Sequence, residues 1–255
     1  MRNYKSWGKS IYCAVLAFAL LALQPSFAFA SAKCSFEPGT WSELACDGSA
    51  FNAGLPNILE IGDSVSVFAF PFLQADLNGA ANVCHVFANA GGSDLGKTCV
   101  GYWLMETAPG VKWNIVLFNF GLHDMELNAK GVPAVSLTEY QNNLKAIIAQ
   151  IQAAGAAPIW ISTTPIPNAI LKYYADPKPY ATSAWAQMQT SSIQVIDTNS
   201  MVLPFNATQH IDYTSGPKKG EPSPHWTLPV DALIARTISG AVLGEAEFAG
   251  FKATR

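Results

Sequence analysis

The chain has 255 residues, half of them hydrophobic and only 13% charged, with a formal net charge of −3. Average proteins carry roughly 25% charged residues, and the one basic pair beyond the N-terminus is Lys218-Lys219, so the sequence has no electrostatic footprint for nucleic acid. The length fits one domain with a sizeable core.

The N-terminus reads as a leader. Arg2, Lys5 and Lys9 precede an unbroken apolar run from Ile11 to Leu23, and Ala28-Phe29-Ala30 supplies a small-x-small cleavage pattern. The run is shorter than the ~20 residues that span a bilayer. The expectation is a secretory signal over residues 1–30, cut after Ala30 or Ala32, with no stable membrane anchor and an extracellular or periplasmic product. Lys33 stands before Cys34 where a lipoprotein would need a small residue. Loss of the three leader cations takes the formal charge from −3 to −6.

Cys13 lies in the leader, leaving Cys34, Cys46, Cys84 and Cys99, an even number for an oxidising compartment. Three pairings are possible, and Cys34–Cys46 with Cys84–Cys99 is expected because each closes a short loop. No cysteine pair has CxxC spacing, so no metal is expected. Asn206-Ala207-Thr208 is a glycosylation sequon.

Residues 31–56, rich in Gly, Ser, Pro and Cys, form an irregular disulfide-pinned entry, and residues 57–255 the main domain. Ile58 to Ile61 is a short strand ending at Gly62. Val65 to Leu77 suits a helix that Pro71 should kink or stop. Asn82 to Ala88 is a second strand, followed by Asn89-Ala90-Gly91-Gly92, and Leu95 to Thr107 a helix. Trp113 to Phe120 is the clearest buried strand. Ser136 to Ala154 is the clearest helix, with Leu137, Tyr140, Leu144, Ile147, Ile148 and Ile151 on one face and Gly155 as its stop. Pro158 to Thr163 and Ile193 to Asp197 are strands, and Leu228 to Leu243 closes the chain with a helix. Alternation of apolar strands and helices predicts a parallel sheet covered on both faces, with the ligand site beyond the carboxyl ends of the strands.

Residues able to do chemistry cluster after those strands. Gly62-Asp63-Ser64 offers a sharp turn, a hydroxyl and a free helix-start N–H, which suits a nucleophile beside an oxyanion site; a lone Ser there would more often be a helix cap. Asn89 to Gly92 offers backbone N–H groups, or an ordinary turn. Gly121-Leu122-His123-Asp124 puts a polar side chain over the sheet edge. Ser223-Pro224-His225-Trp226 supplies a histidine, the usual base for a hydroxyl nucleophile. Of the four histidines, His85 falls in a strand and reads as structural, and His210 is a reserve candidate.

These four elements, in this order, resemble the conserved blocks of the SGNH (GDSL-like) hydrolases from about Ile58 to Leu243. The resemblance implies a flavodoxin-like three-layer α/β/α sandwich with a central, mainly parallel five-stranded sheet. It implies that Ser64 attacks an ester carbonyl, that His225 takes and returns the proton, and that the N–H of Ser64, an N–H of Gly91 or Gly92 and a side chain of the third block hold the oxyanion. Asp63 and Asp124 are then structural, and Asp197 anchors a turn.

Two positions depart from the family pattern. His123 stands where the family has Asn, and a neutral imidazole still donates one hydrogen bond. Pro222 stands where the family has the Asp that orients the histidine. Glu221, Asp212 or a backbone carbonyl could serve instead. Trp226, beside His225, is expected to line the pocket, and the other tryptophans to be core. The resulting expectation is a cofactor-free secreted ester hydrolase acting on a small-molecule or carbohydrate ester. The competing readings are a catalytically impaired binding or surface protein, and an O-acyltransferase using the same serine.

Overall fold

A computed structural model describes residues 34, 46, 48–87, 89–214 and 216–244. The expected leader and most of the expected entry segment lie outside them. Five strands, β1 (Asn57–Ile61), β2 (Asn82–His85), β3 (Ile115–Phe118), β4 (Ala157–Ile161) and β5 (Gln194–Ile196), form one parallel sheet in the order β2-β1-β3-β4-β5. Helices cover it: α1 (Ser64–Asp76), α2 (Ser93–Glu106), the short α3 (Leu122–Met125), α4 (Leu137–Ala153), α5 (Pro177–Thr190), the short α6 (Thr198–Val202) and α7 (Leu228–Leu243). Helix α1 packs on α7, α2 on α4, and α4 on α5. This is a three-layer α/β/α sandwich with an all-parallel five-stranded sheet.

The strands are buried on both faces because both are covered by helices. Leu59, Val116, Leu117, Phe118 and Val195 are all fully buried. Within the five strands of the sheet the one carboxyl side chain is Glu60, the fourth residue of β1, and it is buried. Helix α4 forms where the periodicity demands. A capping box between Ser136 and Glu139 satisfies its first N–H groups, its buried face carries Tyr140, Leu144, Ile147, Ile148 and Ile151, and Gly155 stops it at φ +83°.

Other expectations change. Helix α1 runs through Pro71, which faces solvent, and ends at Asp76. Helix α5 was not expected, although Asp176 caps it, Pro177 opens it, and Tyr180, Ala184 and Met188 are buried along it. The segment before α7 is a two-stranded antiparallel ribbon, β6 (His210–Asp212) with β7 (Pro222–Trp226). The cysteines cross-link differently: Cys34 joins Cys99 and Cys46 joins Cys84, with Cα–Cα separations of 5.3 and 5.6 Å. Each bridge ties the entry segment to the sandwich, one to α2 and one to β2, rather than closing a short local loop. No helix among the described residues is long and apolar enough to cross a membrane.

Candidate active site

Three loops at the carboxyl end of the sheet and the antiparallel ribbon converge. After β1 the chain turns at Gly62, where a Cβ would run into the Ser66 side chain, and enters α1 at Ser64. Asp63 is the N-cap, its Oδ1 accepting the Val65 N–H at 2.9 Å. Ser64 is the first helical residue, so its own N–H lies beyond the reach of the intrahelical ladder.

The loop after β2 is bound to that turn, Ala90 N–H donating to the Gly62 carbonyl at 2.8 Å. Gly91 adopts φ +62°, and its N–H donates to Asn89 Oδ1 at 2.9 Å. Of the two glycine N–H groups expected at an oxyanion site, Gly91's is therefore engaged, whereas Gly92's has no protein partner among the described residues. Ser93, at the start of α2, donates its N–H and hydroxyl to the buried Asp124 carboxylate, and Asn143 donates to Ser93 Oγ at 3.1 Å. Asp124 thus ties the second loop to the third. Burial pushes its carboxyl up to about 6, against those hydrogen bonds.

The third loop turns at Gly121, where φ is +149° and a Cβ would collide with Thr163 Oγ1. Beyond it, the His123 ring sits between two loops. Nδ1 lies 3.5 Å from Glu126 Oε1 and Nε2 lies 3.5 Å from Asn89 Nδ2. Burial pulls the His123 pKa down, but the Glu126 carboxylate, with the charges of Asp63 and Asp124, outweighs it and the net shift is upward.

The fourth element is β7. His225 Nε2 lies 2.8 Å from Ser64 Oγ. For Nε2 to accept that hydroxyl proton, the ring proton must sit on Nδ1. Phe68 and Tyr213 flank the ring edge-on, with centroids at 4.8 and 5.4 Å. Burial, then the charges of His123 and His210, lower the His225 pKa to about 4.

The candidates for orienting His225 lie elsewhere. Glu221 is exposed, its N–H donating to the Lys218 carbonyl and its own carbonyl accepting from Tyr213, and its carboxylate makes no hydrogen bond to His225. Asp212 pairs with Pro222 across the ribbon. Among the described residues no carboxylate bonds the His225 ring. His210, the reserve candidate, braces the main chain instead, with Nδ1 3.1 Å from the His225 carbonyl oxygen and Nε2 2.9 Å from Asn206 Oδ1. That contact and a 3.3 Å bond from Asn206 Nδ2 to the Ile166 carbonyl occupy both ends of the sequon amide. Trp226 does not line the pocket: it is 1% exposed and stacks on His210. Strand alternation turns it inward where it turns His225 outward. His85 is buried against Ser66, as a structural histidine.

Sequence reasoning passed over Phe68, Tyr213, the Asn89 side chain and Glu126. The last was within reach, since Glu126 follows His123 by one helical turn. A cleft of about 350 Å³ opens beside them, lined by Glu126, Tyr173, Tyr174, Tyr213, Lys218 and Glu221. A second of similar volume, lined by Met125, Trp160, Ile166, Tyr180 and Trp185, lies beyond β4. No group of three His, Cys, Asp or Glu side chains among the described residues is placed to hold a metal ion.

No family model matches the sequence, and no curated protein matches it either. Solved structures do. A lipase/acylhydrolase from Enterococcus faecalis superposes with a TM-score of 0.57 at 16% identity, over 73% of this chain and 97% of that one. A psychrotrophic esterase from a Pseudoalteromonas species gives 0.51 at 16%, over 74% and 97%. An acetyl xylan esterase gives 0.53 at 14%, over 73% and 99%. With its all-parallel five-stranded sheet, the chain has the fold of the SGNH (GDSL-like) hydrolases.

Proposed function

We propose that this protein is an exported serine ester hydrolase, with Ser64 as nucleophile and His225 as general base. The observation that carries the reading is the 2.8 Å approach of Ser64 Oγ to His225 Nε2, at the carboxyl edge of a parallel sheet. The names of the similar structures, an acylhydrolase and two esterases, support it. So does the leader-like N-terminus, with residues 1–30 as a signal peptide.

In this reading Ser64 Oγ bonds to the ester carbonyl carbon while its proton passes to His225. The tetrahedral oxyanion is held by the N–H groups of Ser64 and Gly92. Its collapse expels the alcohol, which takes the proton from His225 and leaves an acyl-serine. Water, giving a proton to the same histidine, then attacks the acyl carbon; the bond to Ser64 Oγ breaks, that oxygen takes the proton back from His225, and the carboxylic acid leaves. With no carboxylate bonded to its ring among the described residues, His225 works in this reading as half of a dyad. Three tyrosines with two carboxylates and a lysine in the adjoining cleft favour a polar alcohol portion such as a sugar.

The test is turnover of short-chain p-nitrophenyl esters and acetylated sugars by the protein and by Ser64→Ala and His225→Ala. We expect each variant to lose at least about a thousandfold in kcat. Activity surviving Ser64→Ala refutes the nucleophile. A wild type inert on every ester leaves a binding role for the fold, and acyl transfer to an added alcohol in preference to water makes it a transferase.

A further inference from the structure

We infer that Asn89 is the side-chain donor to the oxyanion, held in place by a Glu126–His123–Asn89 relay. The inference rests on the ester-hydrolase reading above and reassigns one role within it.

Hydrogen-bond polarity carries the argument. Gly91 N–H can only donate, so the atom of Asn89 that it meets at 2.9 Å is the carbonyl oxygen. That fixes the amide, and the atom facing His123 Nε2 is therefore the NH2 group, at 3.5 Å. An NH2 group donates, so Nε2 must accept, and the ring proton of His123 sits on Nδ1, facing the Glu126 carboxylate at 3.5 Å. In that tautomer His123 has no N–H left for an oxyanion. Asn89 does, because an amide nitrogen carries two hydrogens and His123 takes one. Asn89 is half-buried and adjoins Ala90, whose N–H is bonded to the Gly62 carbonyl two residues before Ser64. The free hydrogen thus belongs to a group rigidly tied to the nucleophile turn. Asn89 is the catalytic residue of the relay, and His123 and Glu126 are positioning residues.

The two possible donors predict opposite pH limbs. The groups facing His123 are Glu126 at the C-cap of its helix, with Lys218 beyond it, Asp124 beside it, Asp63 in the nucleophile turn and, across the mouth, His225. Protonation of His123 puts an N–H on Nε2 against the Asn89 NH2 and breaks the relay. Activity should then rise with pH through the His123 pKa, which lies above the usual histidine value. Were the imidazolium itself the donor, activity would fall across that range.

Asn89→Asp separates the roles, since it keeps the acceptor for Gly91 N–H and removes the NH2. We expect kcat to fall about a hundredfold or more with KM little changed and Tm retained. Asn89→Ala should lose as much kcat. In Glu126→Gln, which removes the charge favouring His123 protonation, the acid limb of kcat/KM should move to lower pH. The inference is overturned if Asn89→Asp and Asn89→Ala keep kcat within threefold while Ser64→Ala is dead, or if activity falls as pH rises through the limb that Glu126→Gln displaces. If Asn89→Ala fails to fold, the Asp variant decides alone. Wild type inert on every ester refutes the hydrolase reading and this inference with it, whereas an active wild type with indifferent Asn89 variants refutes this inference alone.

Discussion

Glu60, the fourth residue of β1, is 1% exposed, and neither carboxylate oxygen has a hydrogen-bond partner among the described residues. It lines a cavity of about 20 Å³ with Asp63, Ser66, Asn119 and Ser162, room for about one water. Burial, with the nearby Asp63 charge, pushes its pKa up from 4.5 to about 8. The folded protein therefore keeps this proton up to about pH 8, while the unfolded chain releases it above about 4.5. Stability is full below the unfolded value and falls as pH rises between the two, by roughly 1.4 kcal/mol per pH unit at most. Glu60→Gln removes that dependence. Its Tm relative to wild type should rise steadily from pH 4.5 to pH 8; a difference independent of pH would show that Glu60 ionises normally. Nothing in the sequence around Glu60 announces this, because a lone acid in a short strand reads as an outward-facing residue. Ser64 and His225, which the fold brings within 2.8 Å, stood out as candidates for the opposite reason: each sits in a short local pattern beside a strand or helix boundary. The partners of His225 were not, since which groups flank a ring depends on how distant segments pack.

At the scale of elements, legibility followed the length of the periodic signal. Helix α4 was readable within a residue at each end because six apolar positions repeat over almost five turns between a capping serine and a stop glycine. The short strands were located, but β2 to β5 were drawn past their carboxyl ends, since apolar residues beyond Phe118, such as the buried Phe120, belong to the core without belonging to the sheet. Strand β7 escaped because Pro222 and Pro224 argue against a strand. They are tolerated because the ribbon has only two strands, leaving β7 an unpaired edge. The cap of α4 is testable by itself. Ser136 Oγ accepts the Glu139 N–H at 3.3 Å, while Glu139 Oε2 accepts the Ser136 N–H at 3.1 Å. Ser136→Ala should cost about 0.5–2 kcal/mol of stability in urea unfolding, at unchanged turnover in the p-nitrophenyl ester assay, because the cap lies on an exposed helix start. No loss of stability would mean that water caps the helix equally well.

For the whole molecule, the cross-links decide how the entry segment behaves. The sequence favoured neighbouring cysteines, since a short loop forms easily. The folded chain instead brings together Cys34 with Cys99 and Cys46 with Cys84, which are 65 and 38 residues apart. The sheet supplies the reason. Cys84 is a buried residue of β2 and Cys99 lies on the buried face of α2, with the loop after β2 and the first turns of α2 between them, so their side chains are committed to separate parts of the core. In the chain-entropy description, loops of this length contribute about 4 kcal/mol each, where the short local loops would contribute about 3. Breaking either bridge releases one attachment of the entry segment while leaving the other, and leaves the serine loop untouched. Cys99→Ser with Cys34→Ser should therefore lower Tm by several degrees, with turnover in the p-nitrophenyl ester assay close to wild type. Peptide mapping of the oxidised protein checks the premise directly. Linked peptides containing Cys34 with Cys99, and Cys46 with Cys84, are expected, and a linked Cys34–Cys46 peptide would show that the segment is closed on itself and hangs from the domain by the main chain alone.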